Sequence, residues 1–179
     1  MGRYACLLRA VNVSGQRKLT MSKLREVCSS LGCTEVATYL QSGNVVLTSK
    51  LAQAKLGDRV KQAIAAEFGF EDVDVLVWTA EELSALVRGN PFVARGCDLS
   101  KLHVTFLGKE VKPAELKGID AKAFLPDEFA LGKKAVYVHC PDGYGRSKLN
   151  NALFERKLGL RATTRNWRTV NSLLELASK

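Results

Sequence analysis

Long apolar runs are missing from this 179-residue sequence. None approaches the roughly 18 residues that a membrane-spanning helix needs, which excludes a helical membrane protein. The opening stretch Met1-Gly2-Arg3-Tyr4-Ala5-Cys6-Leu7-Leu8 meets Arg9 before a secretory core can form, so export is not expected. Cysteines are few and unframed. There are five (Cys6, Cys28, Cys33, Cys97 and Cys140), with no C-x-x-C pair, and Cys28 and Cys33 stand five apart. That pattern suits neither a disulfide framework nor a zinc site, which needs about four clustered ligands. With only two histidines in the chain, no metal and no cofactor is expected. Cys6 and Cys140 sit in apolar runs, where a thiol behaves as a small hydrophobe, so the reading is one of structural thiols in a cytoplasmic protein.

Familiar catalytic signatures are absent too. The chain has no G-x-x-x-x-G-K-[ST] loop, no H-E-x-x-H helix, and no Ser-His-Asp set or close carboxylate pair that spacing alone assembles. Aromatics make up 7%, and no strand carries the aromatic pattern of an RNA-recognition motif.

What is present is a soluble-type composition, 46% hydrophobic and 25% charged. Tyr4 to Val13 reads as a buried strand interrupted by Arg9 and Asn12. Thr20 suits an N-cap, and Met21, Leu24, Cys28 and Leu31 form a helical stripe that Gly32 ends. Glu35–Gln41 and Asn44–Ser49 read as strands joined by a tight turn at Ser42-Gly43. Leu56, Val60, Ile64 and Phe68 mark a second helix ending near Gly69, and Val73–Thr79 a further strand. The order β-α-β-β-α-β is that of a ferredoxin-like unit.

Thr79 and Glu82 then form a capping box for a short helix that stops at Gly89-Asn90-Pro91, and Phe92 to Ser100 reads as a linker. The pattern resumes with strand Leu102–Leu107, a weak helix from Pro113, and strands near Glu128–Leu131 and Ala135–Cys140. Helices are expected over Ser147–Leu158 and Asn166–Ala177. The fold expected is α+β, with two tandem ferredoxin-like (βαββαβ-type) halves and mixed or antiparallel sheets. The first half covers 1–79, a connecting helix and linker 80–100, and a degenerate second half 101–179.

The net charge of +9 is uneven. Residues 1–25 hold Arg3, Arg9, Arg17, Lys18, Lys23 and Arg25 and no acid. Residues 133–168 carry a net +7, and the rest of the chain is net −4. Such segregation points to positive patches that meet anions.

Three segments draw attention. Arg9-Ala10-Val11-Asn12-Val13-Ser14-Gly15-Gln16-Arg17-Lys18 runs from a strand end through a basic, glycine-containing loop to a helix start, where backbone N–H groups favour anions. An arginine inside an apolar strand must pair with an acid or point into a pocket. Pro141-Asp142-Gly143-Tyr144-Gly145-Arg146-Ser147-Lys148-Leu149-Asn150-Asn151 offers close backbone approach, a Ser147 cap and two flanking cations; lacking a third glycine, it is a weak dinucleotide signal. In Ala162-Thr163-Thr164-Arg165-Asn166-Trp167-Arg168-Thr169, Thr164 suits the cap of the last helix, and Trp167 falls on its apolar stripe. The histidines alternate with apolar neighbours on two strands. His103 and His139 are expected on one non-core face with Thr105 and Tyr137, where they could form a pair.

Taken together, several stretches resemble those of an uncharacterised, largely bacterial family catalogued as domain of unknown function sixteen-ninety-seven. They are Leu7-Leu8-Arg9-Ala10-Val11-Asn12-Val13, Thr38-Tyr39-Leu40-Gln41-Ser42-Gly43-Asn44-Val45-Val46, Asn90-Pro91-Phe92 and His103-Val104-Thr105-Phe106-Leu107. The loop 141–149 and the stretch 162–167 complete the set, so the likeness runs from end to end. Family members commonly read Gly-Ile-Asn where this chain has Ala10-Val11-Asn12. The resemblance implies an α+β protein with two ferredoxin-like halves and brings no activity, cofactor or catalytic residue.

The family-like segments are largely polar and fall at strand ends, turns and helix starts. They are expected to line one anionic-ligand site between the halves. Its residues would be Arg9, Asn12, Lys18, Gln41, Asn44, Tyr144, Arg146, Ser147, Lys148, Thr164, Arg165 and Asn166, with Arg9, Arg146, Lys148 and Arg165 as counter-charges. The leading reading is an anion-binding module whose partner is nucleic acid or a phosphorylated small molecule. One alternative is an enzyme on a nucleotide-like or phosphorylated substrate, using Tyr144 or His139 for proton transfer. Another is an interaction module that associates, or oligomerises, through sheet edges.

Overall fold

The computed structural model describes residues 1–13 and 17–179. The chain forms two compact units, Met1–Ser84 with Ser172–Lys179, and Ala85–Asn171. The architecture is α+β, with one four-stranded antiparallel sheet in each unit.

In the first unit, β1 (Gly2–Leu8), β2 (Thr34–Tyr39), β3 (Asn44–Ser49) and β4 (Val75–Thr79) take the order β2-β3-β1-β4. Helices α1 (Met21–Ser30) and α2 (Gln53–Phe68) connect them. Successive strand residues face opposite sides. Tyr4, Cys6 and Leu8 of β1 and Val45 and Leu47 of β3 therefore share a core with Leu24 and Cys28 of α1 and Leu56, Val60 and Ile64 of α2. Each buried leucine contributes about 1.5–3 kcal/mol of transfer free energy. Gly69 ends α2 in the left-handed conformation (φ +70°). Helix α3 (Ala80–Arg88) starts at the expected capping box: Glu82 N–H donates to Thr79 Oγ1 at 3.1 Å, and Thr79 N–H donates to Glu82 Oε2 at 3.0 Å.

The segment read as a linker holds a short helix, α4 (Pro91–Ala94), capped by Asn90 Oδ1. In the second unit, β5 (Leu102–Leu107), β6 (Glu128–Leu131), β7 (Ala135–His139) and β8 (Ala162–Asn166) take the order β6-β7-β5-β8. Between β5 and β6 the expected helix is replaced by 3-10 turns at Pro113–Leu116 and Ala121–Phe124. Helix α5 (Asn151–Leu158) brings Leu153 and Phe154 onto a core with Leu107, Val136, Val138 and Ala162.

Two helix starts differ from the sequence reading. Helix α5 begins at Asn151, because the glycine-containing turn continues past Ser147 and Asn150 Oδ1 accepts from Leu153 N–H at 3.1 Å. The final helix, α6 (Trp167–Ala177), is capped by Asn166, whose Oδ1 accepts from Thr169 N–H at 2.8 Å; Thr164, the expected cap, lies inside β8.

Candidate functional site

In the first unit β1 ends at Leu8, earlier than expected, because Ala10 (φ +55°) and Asn12 (φ +54°) turn the backbone into the left-handed region. Asn12 ties three backbone groups together. Its Nδ2 donates to Leu19 O at 2.8 Å and Gln41 O at 2.7 Å, and its Oδ1 accepts from Leu19 N–H at 2.8 Å. The side chain expected to meet a ligand is thus spent on fastening the loop before α1 to the β2–β3 turn. Asn44 acts similarly within that turn: it is fully buried, and its Nδ2 donates to Tyr39 O and Ser42 Oγ, both at 2.9 Å. Arg9 stands just past β1, half-buried, and its N–H donates to Asp74 O at 2.9 Å. Ser14, Gly15 and Gln16 of the basic loop lie outside the described residues.

Fastened this way, Asn12, Lys18 and Gln41 line one concavity of about 510 Å³ at the start of α1, together with Leu19, Thr20, Met21, Ser22 and Arg25. Thr20 Oγ1 accepts from Lys23 N–H, the third helical position, which leaves the first-turn N–H groups of Met21 and Ser22 facing the opening end of the helix. The lining carries two cations and no carboxylate.

Acids, most of them from distant parts of the sequence, neutralise three other members of the N-terminal basic cluster. Arg3 pairs with Glu35 at 3.0 Å, Arg17 pairs with Asp72, and Lys23 pairs with Glu67 at 3.0 Å and Glu26 at 3.3 Å. Among the described residues, Lys18 and Arg25 have no carboxylate within ion-pairing distance, and Arg25 Nη1 donates to Thr38 Oγ1 at 2.6 Å. Arg25 is the residue that the motif reading passed over, because it lies on a helix and outside any loop pattern.

The second unit holds the other expected residues. Gly143 (φ +99°) admits a turn closed to other residue types, and a 3-10 turn spans Tyr144–Arg146. Ser147 Oγ accepts from Leu149 N–H at 3.0 Å, so it shapes the loop and does not start the helix. Arg146 and Lys148 line a concavity of about 310 Å³, but Asp127 and Asp142 line it too. Two cations facing two carboxylates make a poorer anion site than the first unit's.

Tyr144 leaves that concavity and stacks on His103, with ring centroids 4.4 Å apart and planes 19° apart. Burial pushes its hydroxyl up, against a smaller lowering from Thr164 and the Asn151 backbone. Burial also lowers His103, against a weaker raising by the Lys101 backbone. The expected histidine pair does not exist. His103 pairs across the sheet with Val138 and His139 with Leu102, so the two imidazoles point to opposite faces. A one-residue error in register reverses every side chain of a strand. The same register puts Tyr137 on the face opposite Thr105.

Neighbouring residues of β8 divide likewise. Thr164 shares a hydrogen bond of 2.9 Å with Thr105 on the His103 face. Arg165 lies on the other face, 9% exposed, where its Nη1 donates to Thr163 Oγ1 at 2.8 Å and Thr164 O at 3.0 Å. Burial lowers its guanidinium to about 10. His139 instead joins a cluster absent from the sequence reading. Its Nδ1 lies 3.4 Å from Glu128 Oε1, Glu128 grips Arg95 at 2.5 and 2.9 Å, and Arg95 stacks over Phe92 at 5.2 Å. Arg95 holds the Glu128 carboxyl below its usual range. Among the described residues, no group of three or more His, Cys, Asp or Glu is placed to hold a metal ion.

No curated protein matches the chain. Among solved structures, it is similar to the conserved bacterial protein SP0830 from Streptococcus pneumoniae, with a TM-score of 0.77 and 22% identity over 98% of each chain. At that identity the likeness speaks for the fold alone. No helix among the described residues is long and apolar enough to cross a membrane. The sequence profile of the family described as protein of unknown function DUF1697 matches residues 1–137, a span that includes the Asn12 fastening and the whole concavity at α1. The chain belongs to that family.

Proposed function

We propose that this protein is an anion-binding module and that a phosphate group of a phosphorylated ligand occupies the concavity at the start of α1. The observation that carries this reading is the charge around that concavity: Lys18 and Arg25 line it with no acid among the lining residues and without an ion pair among the described residues, while Arg3, Arg17 and Lys23 are neutralised elsewhere. A helix N-terminus of ten residues adds free N–H groups and a favourable dipole at the same spot. Ser22 and Gln41 supply neutral donors, and Asn12 positions the loop. We further infer two ferredoxin-like units, supported by the β2-β3-β1-β4 and β6-β7-β5-β8 strand orders.

The test is calorimetric titration with inorganic pyrophosphate and with a nucleoside monophosphate, for the wild type and for Lys18→Ala/Arg25→Ala. Each lost charge-assisted hydrogen bond contributes about 1.5–3 kcal/mol, so the double variant should bind at least about tenfold more weakly. Equal binding by both proteins would overturn the reading. A nucleic-acid partner is the second reading. It is favoured by Lys133, Arg146, Lys148, Arg156, Lys157 and Arg168 of the second unit, none of which has an ion pair among the described residues. Under that reading, affinity for a single-stranded oligonucleotide falls steeply with salt and depends on Arg146 and Lys148.

A further inference from the structure

The C-terminal end of α1 carries a pair of thiols in an unusual place. Gly32 takes the left-handed conformation (φ +77°), Gly32 N–H donates to Ser29 O at 2.9 Å, and Cys33 N–H donates to Cys28 O at 3.3 Å. These two bonds define a Schellman cap, in which the residue after the glycine folds back over the third residue from the helix end. The two positions ordinarily share an apolar side-chain contact. Here both are cysteines, both are free, and both belong to the core cluster of the first unit. The chain therefore closes a six-residue turn, held by backbone hydrogen bonds, with a thiol at each end.

Access to this pair comes from the next element. Cys33 immediately precedes β2, an edge strand paired only with β3. The first part of β2 is irregular: the register shifts between Thr34 and Ala37, and Glu35 has φ +49°. An edge strand with a bulge at its start opens locally at lower cost than a central strand. Cys33 is 5% exposed and Cys28 fully buried, so an oxidant meets Cys33 first. Burial raises both thiols, Cys28 to about 12, but a hydrogen bond with Ser49 partly offsets the rise at Cys33. Cys6 of β1 borders the same thiols, but no cap or shared turn joins it to them.

We propose that Cys28 and Cys33 form a reversible oxidative modification site, closing an intrachain disulfide in response to a peroxide. The Cys33 thiolate attacks the O–O bond, becoming a sulfenic acid as hydroxide leaves. The Cys28 sulfur then attacks the sulfenic sulfur; the S–S bond forms, and the hydroxyl leaves as water with the proton lost from Cys28. The two thiols together give up two electrons, and one hydrogen peroxide becomes two waters. The bridge ties the end of α1 to the start of β2 across the turn that the cap's backbone hydrogen bonds already close.

The sequence supplies a clean readout. Trypsin releases residues 26–50 as one peptide, which contains Cys28 and Cys33 and no other cysteine. The reduced full chain is treated with hydrogen peroxide, alkylated with iodoacetamide in urea, digested and weighed. The expected result is a 26–50 peptide lighter by two hydrogens with neither cysteine alkylated, restored by dithiothreitol. Cys6→Ala should leave that outcome unchanged, and Cys33→Ala should leave Cys28 fully alkylated. Full alkylation of both thiols while Cys97 is oxidised would overturn the proposal. So would a crosslink that joins Cys6 to either one, or oxidation that stops at a sulfinic acid. Because the wild-type mass decides the matter, a variant that fails to fold does not blunt the test.

Discussion

The two units share a strand order and differ in how they place charge. Both carry cations beside a concavity at a turn, one before α1 and one at Gly143–Lys148. In the first, Lys18 and Arg25 line a concavity free of carboxylates; in the second, Asp127 and Asp142 face Arg146 and Lys148. A count of basic residues favours the second segment. The folded chain reverses that ranking, because what an anion meets is the local sum after distant acids have folded in.

The units also differ in how their cores are covered. Helices α1 and α2 both pack on the first sheet, whereas the second relies on α5 and 3-10 turns. Phe154, fully buried and packed edge-on against Phe129 at 5.9 Å, should therefore be the most costly truncation. Phe154→Ala is expected to lose about 3–5 kcal/mol in urea unfolding. Each unit has one tryptophan, Trp78 and Trp167, so a Trp78→Phe background reports the second unit alone. A loss under about 1 kcal/mol would show that the second core tolerates a cavity there.

Asn12→Ala comes next. It strips partners from Leu19 N–H, Leu19 O and Gln41 O, and should cost about 1–3 kcal/mol while weakening anion binding. Unchanged stability in a thermal melt would remove Asn12 from its fastening role. Caps compare the units more finely. Thr20→Ala and Asn150→Ala should each cost about 1 kcal/mol, and only Thr20→Ala should alter anion affinity.

The smallest effect is pH-dependent. Burial lowers His103 from the ordinary histidine value of 6.5, so the unfolded chain binds a proton more readily than the folded one. Its contribution is complete above about pH 6.5 and declines as pH falls toward the lower folded value. His103→Gln should flatten the urea midpoint of the second unit between about pH 7 and pH 5. An unchanged slope would assign the dependence to other groups.

Local signals are readable where one residue type enforces one geometry. The Thr79–Glu82 capping box, the Thr20 cap, the Gly69 stop and the four-residue spacing of Leu56, Val60 and Ile64 all appear as the spacing predicts. Strand β8 is not readable, because Ala162-Thr163-Thr164-Arg165-Asn166 carries polar groups toward both faces and resembles a helix lead-in. The start of α5 misleads because Ser147 has the right chemistry for a cap but sits within a turn. Register escapes for a different reason. Only cross-strand pairing separates His103 from His139, and no local pattern reports it. Glu35, Asp72 and Glu67, which pair with Arg3, Arg17 and Lys23, are equally non-local, so spacing does not single out Lys18 and Arg25.

The most direct test of the central claim is an NMR titration of the isotope-labelled full chain with inorganic pyrophosphate, following backbone amides of both units. The account predicts saturable shifts at Lys18, Met21, Ser22, Arg25 and Gln41, and none of comparable size at Gly143–Lys148. Shifts centred on Gly143–Lys148, or no saturable shift in either unit, would contradict it.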